Sequence, residues 1–153
     1  MNNITKYSVR LDENRVTSLV KDASKSYSGS CIIDDPEKAV ELIEYIFDAS
    51  NQAEEYVWML ALSTDKCIKG VFEVSHGTLN SSLIHPREIF TRAMLCGADT
   101  ILLAHNHPSG SLVISNNDKD VTARIKDAGK LMGIPLIDHI IIADGRNVSI
   151  TLS

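Results

Sequence analysis

Three cysteines, Cys31, Cys67 and Cys96, are all that the 153 residues contain. Any disulfide scheme leaves one of them unpaired, and no two stand at C-x-x-C spacing, which argues against a cystine-stapled scaffold. A reducing, cytoplasmic setting is the expectation. No apolar run approaches the roughly 20 residues a spanning helix needs. The opening Met1-Asn2-Asn3-Ile4-Thr5-Lys6 lacks the basic-then-apolar order of a signal peptide, so a protein neither secreted nor membrane-embedded is expected. Basic charge is also short: 15 Lys and Arg against 20 Asp and Glu give a formal net charge of -5. The overall field therefore does not favour polyanions, and any nucleic-acid contact would be weak or confined to a local basic patch. Internal repeats, low-complexity tracts and obvious linkers are absent as well.

What is there reads as one domain, with 44% hydrophobic and 23% charged residues, ordinary values for a chain that buries a core. Residues 1–35 form an N-terminal segment that carries little signal. Tyr7 to Leu11 alternates like a short strand, and Ser24 to Ser30 reads as a polar loop. From residue 36 to 153 the pattern is clearer. Asp35 followed by Pro36 is a helix start, and Val40, Ile43, Ile46 and Phe47 form its apolar stripe, with an end near Ala49 to Asn51. Tyr56 to Leu62 is a nearly continuous apolar run that predicts a central strand, with Cys67 to Val74 as its hairpin partner. His85-Pro86-Arg87-Glu88 opens a second helix, with Ile89, Phe90, Ala93 and Met94 inward, closed at Gly97. Thr100 to Ala104 predicts a buried strand that runs out into a loop. Asn116 to Met132 predicts a third helix with Val121, Ile125, Ala128 and Leu131 inward, stopped by Gly133. A buried strand over Leu136 to Ala143, a turn at Asp144-Gly145 and an edge strand over Asn147 to Leu152 complete the pattern.

The chemistry concentrates between residues 104 and 118. His105 and His107 follow an apolar strand, and residues two apart on a strand point the same way, so both imidazoles can reach one target. Asp118 offers a third ligand. Two neutral imidazoles and one carboxylate are a usual protein ligand set for zinc, with a fourth position open to water. His-x-His alone also fits two loop histidines bonded to backbone. Asp118 in a first helical turn also fits plain stabilisation of the helix dipole, and Ser115 three residues before it is a capping-box-like start. The combined pattern His-x-His-Pro-x6-Ser-x2-Asp is far more specific, with four apt positions in fourteen residues.

That pattern resembles the JAMM (JAB/MPN-type) metalloprotease motif, and His105-Asn106-His107-Pro108-Ser109-Gly110 looks like its RadC branch. Gly77-Thr78-Leu79-Asn80, His85 to Phe90 and Leu136 to Ile142 are similar to RadC-type sequence too, so the likeness covers most of residues 36–153. It implies an α/β fold with a central mixed sheet flanked by helices, of the JAB/MPN (cytidine-deaminase-like) architecture. It implies Zn²⁺ on His105, His107 and Asp118, Glu55 as proton shuttle, and Ser115 as a helper of the oxyanion. By composition Glu54 serves as well as Glu55. The activity implied is zinc-dependent hydrolysis of a peptide, amide or isopeptide bond in a peptide or protein substrate. The alternative is a non-catalytic RadC-type accessory module linked to DNA repair or mobile elements. Two departures stand out: Ile114 replaces the proline often found before the motif serine, and no helix-hairpin-helix region is recognisable in residues 1 to 35. His139 reads as a satisfied core histidine with Asp138 beside it, His76 and His85 as flanks of the Gly77 loop, and Cys96 as a small core residue.

Overall fold

A computed structural model of the chain describes residues 1–77 and 84–151. Among these residues seven strands form one mixed sheet in the order β2-β1-β4-β3-β5-β6-β7. The strands are β1 (Asn2–Leu11), β2 (Thr17–Tyr27), β3 (Tyr56–Leu62), β4 (Ile68–His76), β5 (Thr100–Asn106), β6 (Leu136–Ala143) and β7 (Arg146–Ser149). The helices are α1 (Pro36–Phe47), α2 (Pro86–Leu95) and α3 (Asn116–Met132), and a single 3-10 turn at Ala49–Asn51 follows α1. β1 pairs with β4 in parallel, as β5 does with β6, and all other pairings are antiparallel. The expected mixed sheet with flanking helices is therefore present.

Alternation on the central strands sorts the core into two layers. Trp58, Leu60 and Leu62 of β3, with Leu102 and Ala104 of β5, pack against Ala39, Val40, Leu42 and Ile43 of α1. Val57, Met59 and Ala61, with Ile101 and Leu103, pack against Ile89, Phe90 and Ala93 of α2 and Val121 and Ile125 of α3. Because side chains alternate along β5, His105 faces the α3 layer and Asn106 the α1 layer.

The helix starts are those read from sequence. Asp35 accepts the Lys38 N–H at 2.8 Å with Pro36 next in line. Gly133 closes α3 at φ 71°, a left-handed position that suits a residue without Cβ.

Several expectations are corrected. β1 and β2 form a hairpin over nearly all of residues 2–27, so Tyr7 to Leu11 is only the end of a strand and Ser24 to Tyr27 is strand, not loop. The hairpin lies at the sheet edge and its second strand is largely exposed, so the apolar alternation that would mark it is missing. β4 runs through His76, because Tyr56 pairs with it. β5 continues to Asn106, since His105 pairs with Val57 on one side and Ile141 on the other. β7 ends at Ser149. Leu131 is 87% exposed and Met94 51%, whereas both were expected inward. The buried stripe of α3 runs through Asp118, Val121, Thr122, Ile125 and Gly129, and Leu131 lies off it. Thr78-Leu79-Asn80 and Leu152 lie outside the described residues.

Candidate metal centre

Three elements converge at the carboxyl ends of β5 and β6. His105 is the last but one residue of β5 and is fully buried. His107 lies just beyond the strand, held by its own N–H to the Ile142 carbonyl at 2.9 Å. Asp118 occupies the first turn of α3 and is 2% exposed. That turn is a full capping box: the Asp118 N–H donates to Ser115 Oγ at 3.0 Å, and the Ser115 N–H donates to Asp118 Oδ2 at 2.9 Å. The cap thus fixes the carboxylate's rotamer as well as the helix start.

The ligand atoms form a small triangle. His105 Nε2 stands 3.1 Å from His107 Nε2 and 3.2 Å from Asp118 Oδ1, while His107 Nε2 stands 3.6 Å from Asp118 Oδ2. Ligands about 2.05 Å from a tetrahedral zinc are separated by about 3.3 Å, so these edges match. The chemistry of the donors points the same way. His107 Nδ1 lies 2.8 Å from the Ser111 carbonyl oxygen, which only accepts, so Nδ1 carries the proton and Nε2 offers a lone pair. That lone pair faces a carboxylate and a second imidazole. A lone pair and a carboxylate this close call for a cation between them, a proton on an imidazole or a metal ion, and these three residues fit a metal ion.

Charge and burial divide the histidines. Burial pushes the His105 imidazolium well out of favour, and its pKa falls even though the Asp118 carboxylate pulls it upward. His107, closer to solvent, has its pKa raised, chiefly by its hydrogen bond with Asp118. Burial works to raise Asp118, but the bonds from His105, His107 and the Ser115 N–H outweigh it and hold the carboxyl far below the usual carboxylate range. His139 is completely buried, and burial first of all keeps it neutral.

The two glutamates separate in space. Glu55 lines an open cleft of about 510 Å³ together with His107, Pro108, Ser109, Ser111, Ser115, Asn117 and Asp118. Glu54 directs its carboxylate to His76 Nε2, and His76 stacks on Tyr56 with ring centroids 4.6 Å apart. The backbone on both sides of Glu55 is clamped by Asn106, the middle residue of His-Asn-His. Its Nδ2 donates to the Glu54 carbonyl at 2.9 Å and its Oδ1 accepts the Tyr56 N–H at 2.7 Å. The Glu55 carbonyl in turn accepts the Gly77 N–H at 2.8 Å. Sequence reasoning gave Asn106 no role, because the strand was expected to end at Ala104, which left Asn106 in a loop; the structure extends β5 through it.

A family model described as a RadC-like JAB domain matches residues 33–152. The chain belongs to the RadC-like JAB domain family. It is 45% identical over 96 residues to a UPF0758 protein of Desulfitobacterium hafniense, covering 63% of this chain and 42% of that protein. A UPF0758 protein of Clostridium acetobutylicum is 39% identical over 128 residues, 84% of this chain and 55% of its own length. One from Geobacter sulfurreducens is 40% identical over 114 residues, 74% of this chain and 49% of its own. This RadC-like JAB domain thus spans about half the length of the curated relatives it matches. The other histidines fall into place around the centre. His139 sits on β6 beside His105, while His85 caps α2 by accepting the Arg87 N–H at 3.1 Å. Asp138 is turned away from the centre, accepting from Ser149 and Thr151 at 2.5 and 2.8 Å. Among the described residues, no helix is long and apolar enough to cross a membrane.

Proposed function

We propose that this domain is a zinc-dependent hydrolase of a peptide, amide or isopeptide bond. The observation that carries the reading is the convergence of His105, His107 and Asp118, with His105 buried and the other two lining an open cleft that Glu55 and Ser115 also line. Zinc held by these residues would polarise a substrate carbonyl and bring a bound water's pKa to near 7. The chain's own residues supply the rest. Glu55 accepts the water proton and returns it to the leaving amine, acting first as base and then as acid. Ser115 Oγ accepts the Asp118 N–H within the cap, and its own hydroxyl hydrogen would donate to the developing oxyanion. Asn106 holds Glu55 in place from the backbone. The preferred substrate is a polypeptide whose extended backbone lies along the cleft, and a weak nucleic-acid partner is at most secondary given the net charge of -5.

Metal analysis and turnover together test this. Protein reconstituted with zinc and desalted should hold about one ion per chain, and His105→Ala or Asp118→Ala should lose it. Glu55→Gln should keep the zinc and lose hydrolysis of a peptide or isopeptide library that the parent cleaves, while Glu54→Gln should keep both. Failure of the parent to bind zinc would refute the metal assignment. Zinc binding without cleavage of any library member would favour the non-catalytic accessory module.

A further inference from the structure

Beneath the ligand triangle, on the side away from the cleft, lies an open ring of hydrogen bonds. His105 Nδ1 is 2.8 Å from His139 Nε2, and His139 Nδ1 is 2.6 Å from Thr122 Oγ1. Thr122 Oγ1 in turn donates to the backbone carbonyl of Asp118 at 2.7 Å. The ring begins on one ligand and ends on another, and it joins β5, β6 and α3. His105 and His139 are fully buried and Thr122 is 5% exposed, so water does not share these bonds.

The direction of every bond follows from one fixed point. The Asp118 carbonyl can only accept, so at 2.7 Å it takes the single hydroxyl proton of Thr122. Thr122 must then accept from His139, which places a proton on His139 Nδ1. A buried neutral imidazole has one N–H, so His139 Nε2 is a lone pair and accepts from His105 Nδ1. His105 Nε2 is left bare, and it is the atom that faces His107 and Asp118. Which nitrogen of a histidine is free is set by the bond the other one makes.

We infer that Thr122 and His139 are positioning residues that lock His105 in the Nδ1–H tautomer, so that its Nε2 lone pair is presented to a metal before any metal arrives. The tautomer itself stands apart from the hydrolase reading, while its consequence for zinc affinity rests on that reading. Without Thr122 Oγ1 the His139 Nδ1–H loses the acceptor that fixes it, and both histidines become free to place a proton on Nε2. A proton on His105 Nε2 must be displaced before zinc binds. The locked orientation also explains why a buried polar pair is tolerated inside an apolar layer, since every donor and acceptor in the ring is matched.

Nitrogen-15 NMR of the imidazoles reads the tautomers in the 153-residue chain, metal-free and at a pH where all three rings are neutral. His105, His107 and His139 should each show a protonated Nδ1 and a bare Nε2. Thr122→Val keeps the volume and removes the hydroxyl. It should mix the His105 and His139 tautomers and weaken zinc binding, measured by competition with a chelating dye, by about 10–100-fold. Thr122→Ser restores the hydroxyl and should recover most of that loss. A protonated Nε2 on His105 in the metal-free parent overturns the inference, and so does a Thr122→Val protein that binds zinc as tightly as the parent. If the parent shows the Nδ1–H tautomers but binds no zinc, the lock stands and the zinc hydrolase reading fails.

Discussion

Replacing Asn106 by alanine removes both arms of the clamp around Glu55 and touches no proposed ligand. The side chain is 1% exposed, and its loss strands the Tyr56 N–H and the Glu54 carbonyl, bonded at 2.7 and 2.9 Å. Leaving a buried polar group unpaired costs about 1–3 kcal/mol. Both partners are only partly buried, so the lower half of that range applies and the pair amounts to about 2–4 kcal/mol. For a chain of this size that lowers Tm by about 5–15 °C. Calorimetry measures the shift, and amide hydrogen exchange at Tyr56 locates it, because that N–H should lose protection disproportionately. Zinc content should stay at the parent level, since Asn106 faces the α1 layer and His105 the α3 layer. Asn106→Asp keeps the acceptor for Tyr56 but sets a carboxylate against the Glu54 carbonyl, so it should be no better than alanine. An Asn106→Ala protein that melts within about 2 °C of the parent, with Tyr56 protected as before, would refute the clamp.

Other substitutions probe the rest of the frame. Ser115→Ala breaks the capping box and should cost about 1 kcal/mol of stability with zinc retained. If Ser115 also donates to the oxyanion, turnover should fall well beyond what that stability loss accounts for. Gly129→Ala should destabilise by about 1–2 kcal/mol despite alanine's better helix propensity. The new Cβ would sit 2.7 Å from the Ile134 carbonyl oxygen and 3.3 Å from the Leu136 nitrogen, both backbone, so α3 must retreat from β6. A neutral or stabilising result in urea denaturation would contradict that close approach. Acid should destabilise the metal-free protein. His105 and His139 stay neutral to lower pH than their unfolded counterparts, so for these two the unfolded chain binds more protons below about 6.5. His107, with its pKa raised, opposes them, because its native form takes up its proton first. That opposition acts only above about 6.5, because below it His107 is protonated in both states; the other two then give a slope approaching about 2.7 kcal/mol per pH unit, and equal urea midpoints at pH 6.5 and 5.5 would rule it out.

The parts of this protein that were legible in its sequence are those where one local rule decides. Pro36 after Asp35, Gly133 after Met132 and Ser115 before Asp118 mark helix ends because capping depends on a few adjacent residues. Tyr56 to Leu62 and Leu136 to Ala143 read as central strands because both faces are covered. The β1–β2 hairpin was largely hidden, since an exposed edge strand such as Thr17–Tyr27 carries no burial pattern, and its pairing rests on bonds between residues up to 25 apart, as between Asn2 and Tyr27. The three proposed ligands could be read as a local pattern. Thr122 and His139 could not be joined to them, because the bonds depend on the Leu103 to His139 register between two strands separated by all of α3. Glu54 and Glu55 are neighbours on one chain, and only the folded positions of His76 and of the cleft show that Glu54 meets His76 while Glu55 lines the cleft.

The centre has a dry side and a wet side, and the division follows from strand alternation and one helix start. His139 and Thr122 lie where no solvent reaches, and they act on the ligands through bonds whose direction is forced by an acceptor-only carbonyl. Glu55, His107 and Ser115 line the cleft, where protons can be exchanged with water and substrate. Orientation and proton transfer are thus assigned to different groups, so perturbing one should leave the other largely intact. Loss of Thr122 should weaken zinc binding, yet the molecules that still hold zinc should turn over at the parent rate. Loss of the Glu55 carboxylate should do the reverse, with full zinc occupancy and no turnover. If Thr122→Val lowered the rate per bound zinc as severely as Glu55→Gln, orientation and proton transfer would be one function here, and the two-sided reading of the centre would be wrong.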